Sequence, residues 1–253
     1  MKYTVLSLFP EIIDAFFCTS IMAKAIERGI VGYTGINIRD YAQDRHKTCD
    51  DAPYGGGAGM LMLPEPLARA LDAAGAARPD KRTVYLSPSG RLFNQELAKE
   101  LSGERELVLI CGRYEGIDQR IIDIYVDDEI SVGDYVLSSG ETAALVLIDA
   151  SYRLLGDVIS PESLDEESFS GGLLEYPQYT RPDIFDSIYG EMRVPEILLS
   201  GHHENIRRWR LRKRIEKTLS NRPDLLRKGI REGLFDDEIR GIIDEVSSIT
   251  EEA

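Results

Sequence analysis

Three apolar runs of the sequence end in turns that carry glycine: Tyr85-Leu86-Ser87-Pro88-Ser89-Gly90, Cys111-Gly112-Arg113-Tyr114-Glu115-Gly116, and Ser131-Val132-Gly133-Asp134-Tyr135-Val136-Leu137-Ser138-Ser139-Gly140. Glycine there lets backbone N–H and C=O groups approach a ligand closely, and such groups can read an adenine edge and a ribose. None of the three is a phosphate loop. No Gly-Lys-Ser/Thr follows, and the G-x-G-x-x-G spacing is missing, which weighs against nucleotide hydrolysis and dehydrogenase chemistry. One such loop is usually a plain turn. Three at consecutive strand ends point to a shared pocket, because ligands of open α/β sheets bind beyond the carboxyl ends of the strands. A fourth cluster, Tyr54-Gly55-Gly56-Gly57-Ala58-Gly59-Met60, is either a flexible surface loop or a place where a base or a partner chain packs on backbone.

A second kind of chemistry lies near the C-terminus. Ser200 to Arg231 carries 11 Lys and Arg against Glu204, Glu216 and Asp224, a net of +8 in a chain of net charge −14. A basic island on an acidic protein marks where a polyanion can land; the alternative is a solvated helix face. Arg207, Arg208, Arg210, Arg212, Lys213, Arg214 and Lys217 fall together there, on a helix whose Leu211, Ile215 and Leu219 form an apolar stripe. These arginines suit phosphate contact and are the candidate RNA-binding residues. Trp209 lies roughly 160° around the helix from Leu211. Packing against another helix or a partner subunit is its first expectation, and contact with RNA its second. His202-His203, without a nearby Cys, make a poor metal site, and no metal ligands are assigned.

Alternating elements must position these residues. Strands are expected at Tyr3–Leu8, Gly35–Arg39, Thr83–Leu86, Leu107–Cys111 and Glu129–Val132. Helices are expected from Ser20 to near Gly29 and at Pro64–Ala74, Asn94–Leu101, Ile117–Tyr125 and Glu141–Leu155. The alternation predicts an α/β fold, a mainly parallel sheet with helices on both faces. After Leu155 the character changes. Gly156 to Gly172 reads as a polar mobile linker, and the rest as a small all-α C-terminal domain without a convincing strand.

The 253 residues, 43% apolar and 29% charged, are ordinary soluble composition. Met1 to Asp14 is too soon interrupted by Pro10 and Glu11 to be a signal peptide. No run approaches the roughly 18 apolar residues of a membrane span. Cys18, Cys49 and Cys111 read as free thiols in a reducing, cytoplasmic setting.

The chain resembles the bacterial tRNA (guanine-37-N1)-methyltransferases of the knotted SPOUT class. The match runs nearly end to end, through Ser7-Leu8-Phe9-Pro10-Glu11, Arg39-Asp40-Tyr41, Asp51-Ala52-Pro53-Tyr54 with its glycines, Cys111 to Asp118, Val132 to Leu137, Tyr179-Thr180-Arg181-Pro182, Leu199 to His203, Arg208-Trp209-Arg210 and Arg222-Pro223-Asp224-Leu225-Leu226. The resemblance implies a deep trefoil knot at the C-terminal part of an S-adenosylmethionine-binding catalytic domain, residues 1–159. A linker, 160–172, and a helical tRNA-binding domain, 173–253, follow. It implies that Tyr85, Leu86, Ser87, Pro88, Gly90, Gly112, Val132, Gly133, Asp134, Tyr135, Val136, Leu137 and Gly140 hold the donor, with Glu115 facing its sulfonium end. It further implies an antiparallel homodimer with sites built from both chains, an anticodon stem-loop as the RNA partner rather than DNA, and a dependence on Mg²⁺. For that ion, Glu115 and the linker acids are the candidates. The chain departs from the family at Ser139-Gly140, where relatives often have two glycines, and at Gln178, where several have His.

Methylating guanine N1 requires loss of the N1 proton and stabilisation of negative charge on O6, so the site needs a carboxylate and a cation. By resemblance the cation is Arg153 and the carboxylate is Glu167, where relatives usually have Asp; Asp165 is the alternative base. Taken alone, an Arg at a helix end is ordinarily a dipole partner, and a Glu in an acidic linker is ordinarily solvated. The rival expectations are a non-catalytic RNA-binding module, an enzyme of another nucleotide-binding class, or another SPOUT RNA methyltransferase.

Overall fold

The structure, a computed structural model, describes residues 1–160 and 167–251. It divides into two units, Met1–Ser160 and Pro161–Ala253. In the first, the strands are β1 (Lys2–Ser7), β2 (Gly32–Asn37), β3 (Asp50–Asp51), β4 (Leu61–Met62), β5 (Arg82–Leu92), β6 (Glu106–Cys111) and β7 (Asp128–Ser131). The helices are α1 (Glu11–Phe17), α2 (Ser20–Glu27), α3 (Pro64–Ala74), α4 (Gln95–Ser102), α5 (Gln119–Tyr125) and α6 (Gly140–Tyr152).

Five strands form one sheet in the order β2-β1-β6-β5-β7, and every pairing in it is parallel. Successive side chains point to opposite faces. Tyr3, Val5, Val84, Leu107 and Leu109 pack with Ile13 and Phe17 of α1, Leu97 and Leu101 of α4, and Leu147 and Ile148 of α6. Leu6, Tyr85, Val108 and Ile110 pack with Leu67 and Leu71 of α3 and Ile121 of α5. Helices on both faces bury Leu107–Cys111 completely, so this strand reads as a continuous apolar run.

Local signals fix the helix ends. Pro64 occupies the first turn of α3, where its missing N–H costs little, and Gly75 ends it at φ +66°. The Asn94 side chain caps α4 by accepting from the Leu97 N–H at 2.9 Å.

Several expectations need correction. Pro10 and Glu11 do not merely interrupt an apolar run; Pro10 is the N-cap of α1. The second strand lies three residues earlier than expected, because Asn37 accepts from the Arg39 N–H and turns Ile38–Tyr41 into a 3-10 helix. β5 continues past Leu86 to Leu92, with an outward loop within it.

The second unit holds α7 (Glu196–Leu199), α8 (His203–Asn221), α9 (Pro223–Glu232) and α10 (Asp237–Glu251), and its core includes Leu173, Ile215, Leu226, Phe235 and Ile242. It is not all-α. An antiparallel hairpin joins β8 (Ile184–Ser187) to β9 (Gly190–Arg193). All residues of β9 and all but one of β8 are exposed, so neither strand carries the alternation that marks a half-buried strand.

Candidate active site

The three glycine-bearing turns meet where the chain crosses from β6, past β5, to β7. Leu86 and Arg91 of β5 both pair with Ile130, so Ser87–Gly90 loops out of the strand between them. Ser87 and Ser89 hydroxyls lie 2.7 Å apart within that loop. The turn after β6 is tied to the start of α6 by a bond from the Gly140 N–H to the Gly112 carbonyl, 2.8 Å. A Cβ on Gly112 would stand 2.8 Å from the Tyr85 ring, so the backbone approaches the ring only because no side chain intervenes. After β7, the Ser131 hydroxyl donates to the Gly133 carbonyl at 3.0 Å, and the Tyr135 hydroxyl to the Val132 carbonyl at 3.1 Å. Gly133 adopts φ +154°.

Between these turns lies a cavity of about 210 Å³. Its wall contains Tyr85, Leu86, Ser87, Pro88, Gly112, Glu115, Val132, Gly133, Tyr135, Val136, Leu137 and Gly140, which the sequence picks out. Gly90 and Asp134 do not line it. Gly90 packs against the backbone of Glu129 and Ile130, with no room for a Cβ, and Asp134 is exposed. Arg113, Tyr114, Ser138, Ser139 and Ala143 join the wall. For the loop residues the available signal was their place inside the same glycine turns; Ala143 carries none. Glu115 is the carboxylate of the described wall. Its N–H donates to the Met60 carbonyl at 3.0 Å, and a Cβ on Gly59 would run into its side chain. The end of the fourth glycine cluster, Gly59 and Met60, thus lies beside the cavity, whereas Gly55 to Gly57 face open space.

Burial, with the charge of Glu129 added, pushes the Tyr85 phenol above its usual range, so it stays neutral at the cavity wall. Burial and then the Glu141 carboxylate raise the Cys111 thiol far above its ordinary value, which leaves it unfit as a nucleophile.

Of the expected catalytic pair, Arg153 is not beside this cavity within its own chain. Arg153 is the C-cap of α6, whereas Gly140 and Ala143 at the cavity begin that helix. Thirteen residues at the α-helical rise separate the two ends by roughly 20 Å. Glu167, in the second unit, is half-buried and its carbonyl accepts from the Ser170 N–H at 3.1 Å. Asp165 lies outside the described residues. Among the described residues, no group of three or more His, Cys, Asp or Glu is placed to hold a metal ion. No helix among them is long and apolar enough to cross a membrane.

On α8 the basic residues divide by what they touch. Arg207 pairs with Glu204 at 2.7 Å and Glu238 at 2.8 Å. Arg212 pairs with Glu216 and Glu245, each at 3.2 Å, and Lys213 with Glu216 at 2.6 Å. Arg214 donates to the Leu174 and Ser170 carbonyls at 3.2 and 3.0 Å. The Arg210 guanidinium lies over the Tyr176 ring, 4.7 Å from its centroid. Arg208 and Lys217 are exposed. Trp209 packs on Tyr179 of the preceding extended segment, centroids 6.4 Å apart.

Fold and cavity together define an open-sheet α/β protein with a cavity walled by three glycine turns at the strand ends. The family model described as tRNA (Guanine-1)-methyltransferase TrmD matches residues 1–228. A tRNA (guanine-N(1)-)-methyltransferase of Treponema denticola is 64% identical over 245 residues, covering 97% of this chain and 98% of the relative. That of Treponema pallidum is 57% identical over 246 residues, covering 97% and 96%. That of Borreliella burgdorferi is 62% identical over 230 residues, covering 90% and 94%. The chain belongs to this methyltransferase family, and through it to the SPOUT superfamily.

Proposed function

We infer that this chain is a cytoplasmic, homodimeric enzyme that transfers the methyl group of S-adenosylmethionine to N1 of the guanine immediately 3′ of a tRNA anticodon. The observation that carries the reading is the cavity at the ends of β5, β6 and β7, in a chain with end-to-end family membership. The residues present fit the donor. Leu86, Ile130, Val132, Leu137 and Ala143 offer apolar surface for an adenine ring. The close backbone at Gly112 and Gly140 supports recognition by main-chain groups, and Glu115 supplies a negative charge for a sulfonium. The same reading includes the trefoil knot. Its support is membership of the family, which belongs to the SPOUT superfamily.

The bound donor supplies an activated methyl group. The protein must then align the guanine, take its N1 proton and hold the charge on O6. The N1 lone pair forms the bond to carbon while the S–CH₃ pair returns to sulfur. We assign the proton to the Glu167 carboxylate, with Asp165 as the alternative, and the O6 charge to Arg153. The separation along α6, roughly 15 Å from Arg153 to the nearest cavity residue of that helix, Ala143, supports a dimer in which the partner's cavity receives it. We further assign residues 1–159 to donor binding and catalysis, 160–172 to the connection, and 173–253 to tRNA, where exposed Arg208 and Lys217 are best placed for phosphates. The requirement for Mg²⁺ is carried by the resemblance alone.

Titration calorimetry tests the reading. S-adenosylmethionine should bind saturably, NAD and ATP should not, and Gly112→Trp should abolish donor binding while leaving the circular dichroism unchanged. Binding of NAD or ATP in place of S-adenosylmethionine would overturn it.

A further inference from the structure

Glu141 is the acid that the proposed chemistry leaves unused. It sits in the first turn of α6 and is wholly buried. One carboxylate oxygen, Oε1, accepts from the Ser7 hydroxyl at 2.5 Å, and that hydroxyl in turn accepts from the Phe9 N–H at 2.7 Å. The other oxygen, Oε2, is buried with no hydrogen-bond partner. Such an atom calls for an explanation, because buried carboxylate oxygens are ordinarily satisfied. The nearest cation is Arg113, whose Nη1 stands 3.9 Å from Oε2, just beyond hydrogen-bond reach. Arg113 is itself part of the cavity wall. Its guanidinium lies over the Phe9 ring, 4.5 Å from the centroid, and its backbone bridges to Ser139. Ser7 and Phe9 therefore hold both members of the pair, one through a hydroxyl and the other through a ring face.

We propose that Glu141 is a positioning residue for the methyl-donor cavity: its open Oε2 holds Arg113 at the wall, and filling the cavity closes the 3.9 Å gap into a charge-assisted hydrogen bond. Glu141 does not line the cavity and touches no reacting atom; it acts through Arg113. The proposal rests on the reading of this cavity as the donor site. It accounts for a wholly buried acid at the start of α6, and for the Ser7-Leu8-Phe9 segment, which no step of the chemistry uses.

A double-mutant cycle on donor affinity tests it, with S-adenosylmethionine titrated calorimetrically into the full chain. Glu141→Gln keeps the shape and the bond from Ser7 but removes the charge. It should weaken donor binding about tenfold, the scale of one hydrogen bond to a charged group. Arg113→Ala should weaken it at least as much. The double variant should be no weaker than Arg113→Ala alone, because the two residues act as one unit. If the two losses multiply, or if Glu141→Gln binds within twofold of wild type, the proposal is wrong and Glu141 serves folding only. Should Glu141→Gln not fold, Glu141→Asp keeps the charge and draws it back by one C–C bond. It should show a partial loss that likewise vanishes in the Arg113→Ala background, and a loss that persists there overturns the proposal. Failure of the wild type to bind the donor, or retained binding in Gly112→Trp, would instead sink the assignment of the cavity.

Discussion

The Gly140 N–H donates to the Gly112 carbonyl at 2.8 Å, and this bond fastens the first residue of α6 to the turn after β6. A Cβ on Gly140 would stand 2.7 Å from the Gly112 nitrogen and 2.8 Å from the Cys111 Cα. Both are backbone atoms at the end of a buried strand, so they have little freedom to give way.

Gly140→Ala therefore sets two effects against each other. Alanine is the better helix former by about 1 kcal/mol. Forcing extra volume against fixed backbone costs about 1–3 kcal/mol. The clash should win, lowering the thermal unfolding midpoint by a few degrees and weakening donor binding at least tenfold as the Gly112 turn is pushed into the cavity. An unchanged donor affinity by calorimetry would show that this contact does not shape the site.

The separation of Arg153 from the cavity along α6 makes a prediction about mixed dimers. Gly112→Trp chains and Arg153→Ala chains should each be inactive alone. A 1:1 mixture should recover about a quarter of wild-type activity, since in a two-fold dimer half of the molecules are mixed and each has one intact site. Native mass spectrometry would establish that mixed dimers form. No recovery in their presence would place each site within one chain.

Much of this arrangement is legible in the sequence, for reasons that differ by element. The bounds of α3 are readable at both ends because Pro64 and Gly75 are backbone punctuation. The cavity turns are readable because three glycine-bearing turns follow consecutive strands, where one alone would read as a plain turn. The hairpin of β8 and β9 is not, since its side chains face solvent and leave no period to detect. Nor is the partnership of Ser7 with Glu141, which joins residues 134 apart in sequence through a single hydrogen bond. Arg153 and Glu167 could be singled out only by resemblance. Each has an unexceptional local context, an Arg at a helix end and a Glu beside an acidic run.

The general base is tested by Glu167 and Asp165 together. Glu167→Ala should lower the single-turnover rate of methyl transfer by roughly two to four decades, the range for a lost general base, with donor and tRNA affinities near wild type. Glu167→Asp should lose less. If Asp165→Ala abolishes transfer while Glu167→Ala is nearly silent, the base is Asp165.

For RNA, the contacts on α8 change which residues matter. Surface ion pairs such as Arg207–Glu238 are weak and can yield to phosphate, but Arg214 is spent on two carbonyls. Arg208→Ala with Lys217→Ala should flatten the slope of log tRNA affinity against log salt by about 1.4 units, at about 0.7 per phosphate contact on single strands. Arg214→Ala should act mainly on the stability of the second unit, costing about 1–3 kcal/mol for bonds lost by a charged group. A salt slope unchanged in the double variant would remove these two residues of α8 from the RNA interface.

The most direct test is the identity of the product. The purified enzyme should be incubated with methyl-labelled S-adenosylmethionine and a tRNA carrying guanine 3′ of its anticodon, and the RNA digested to nucleosides and fragments for mass spectrometry. The label should appear as 1-methylguanosine at that one position. It should be lost with Gly112→Trp and with a tRNA bearing adenine there. Label in a different methylated nucleoside, at a different position, or in no nucleoside at all would contradict the account.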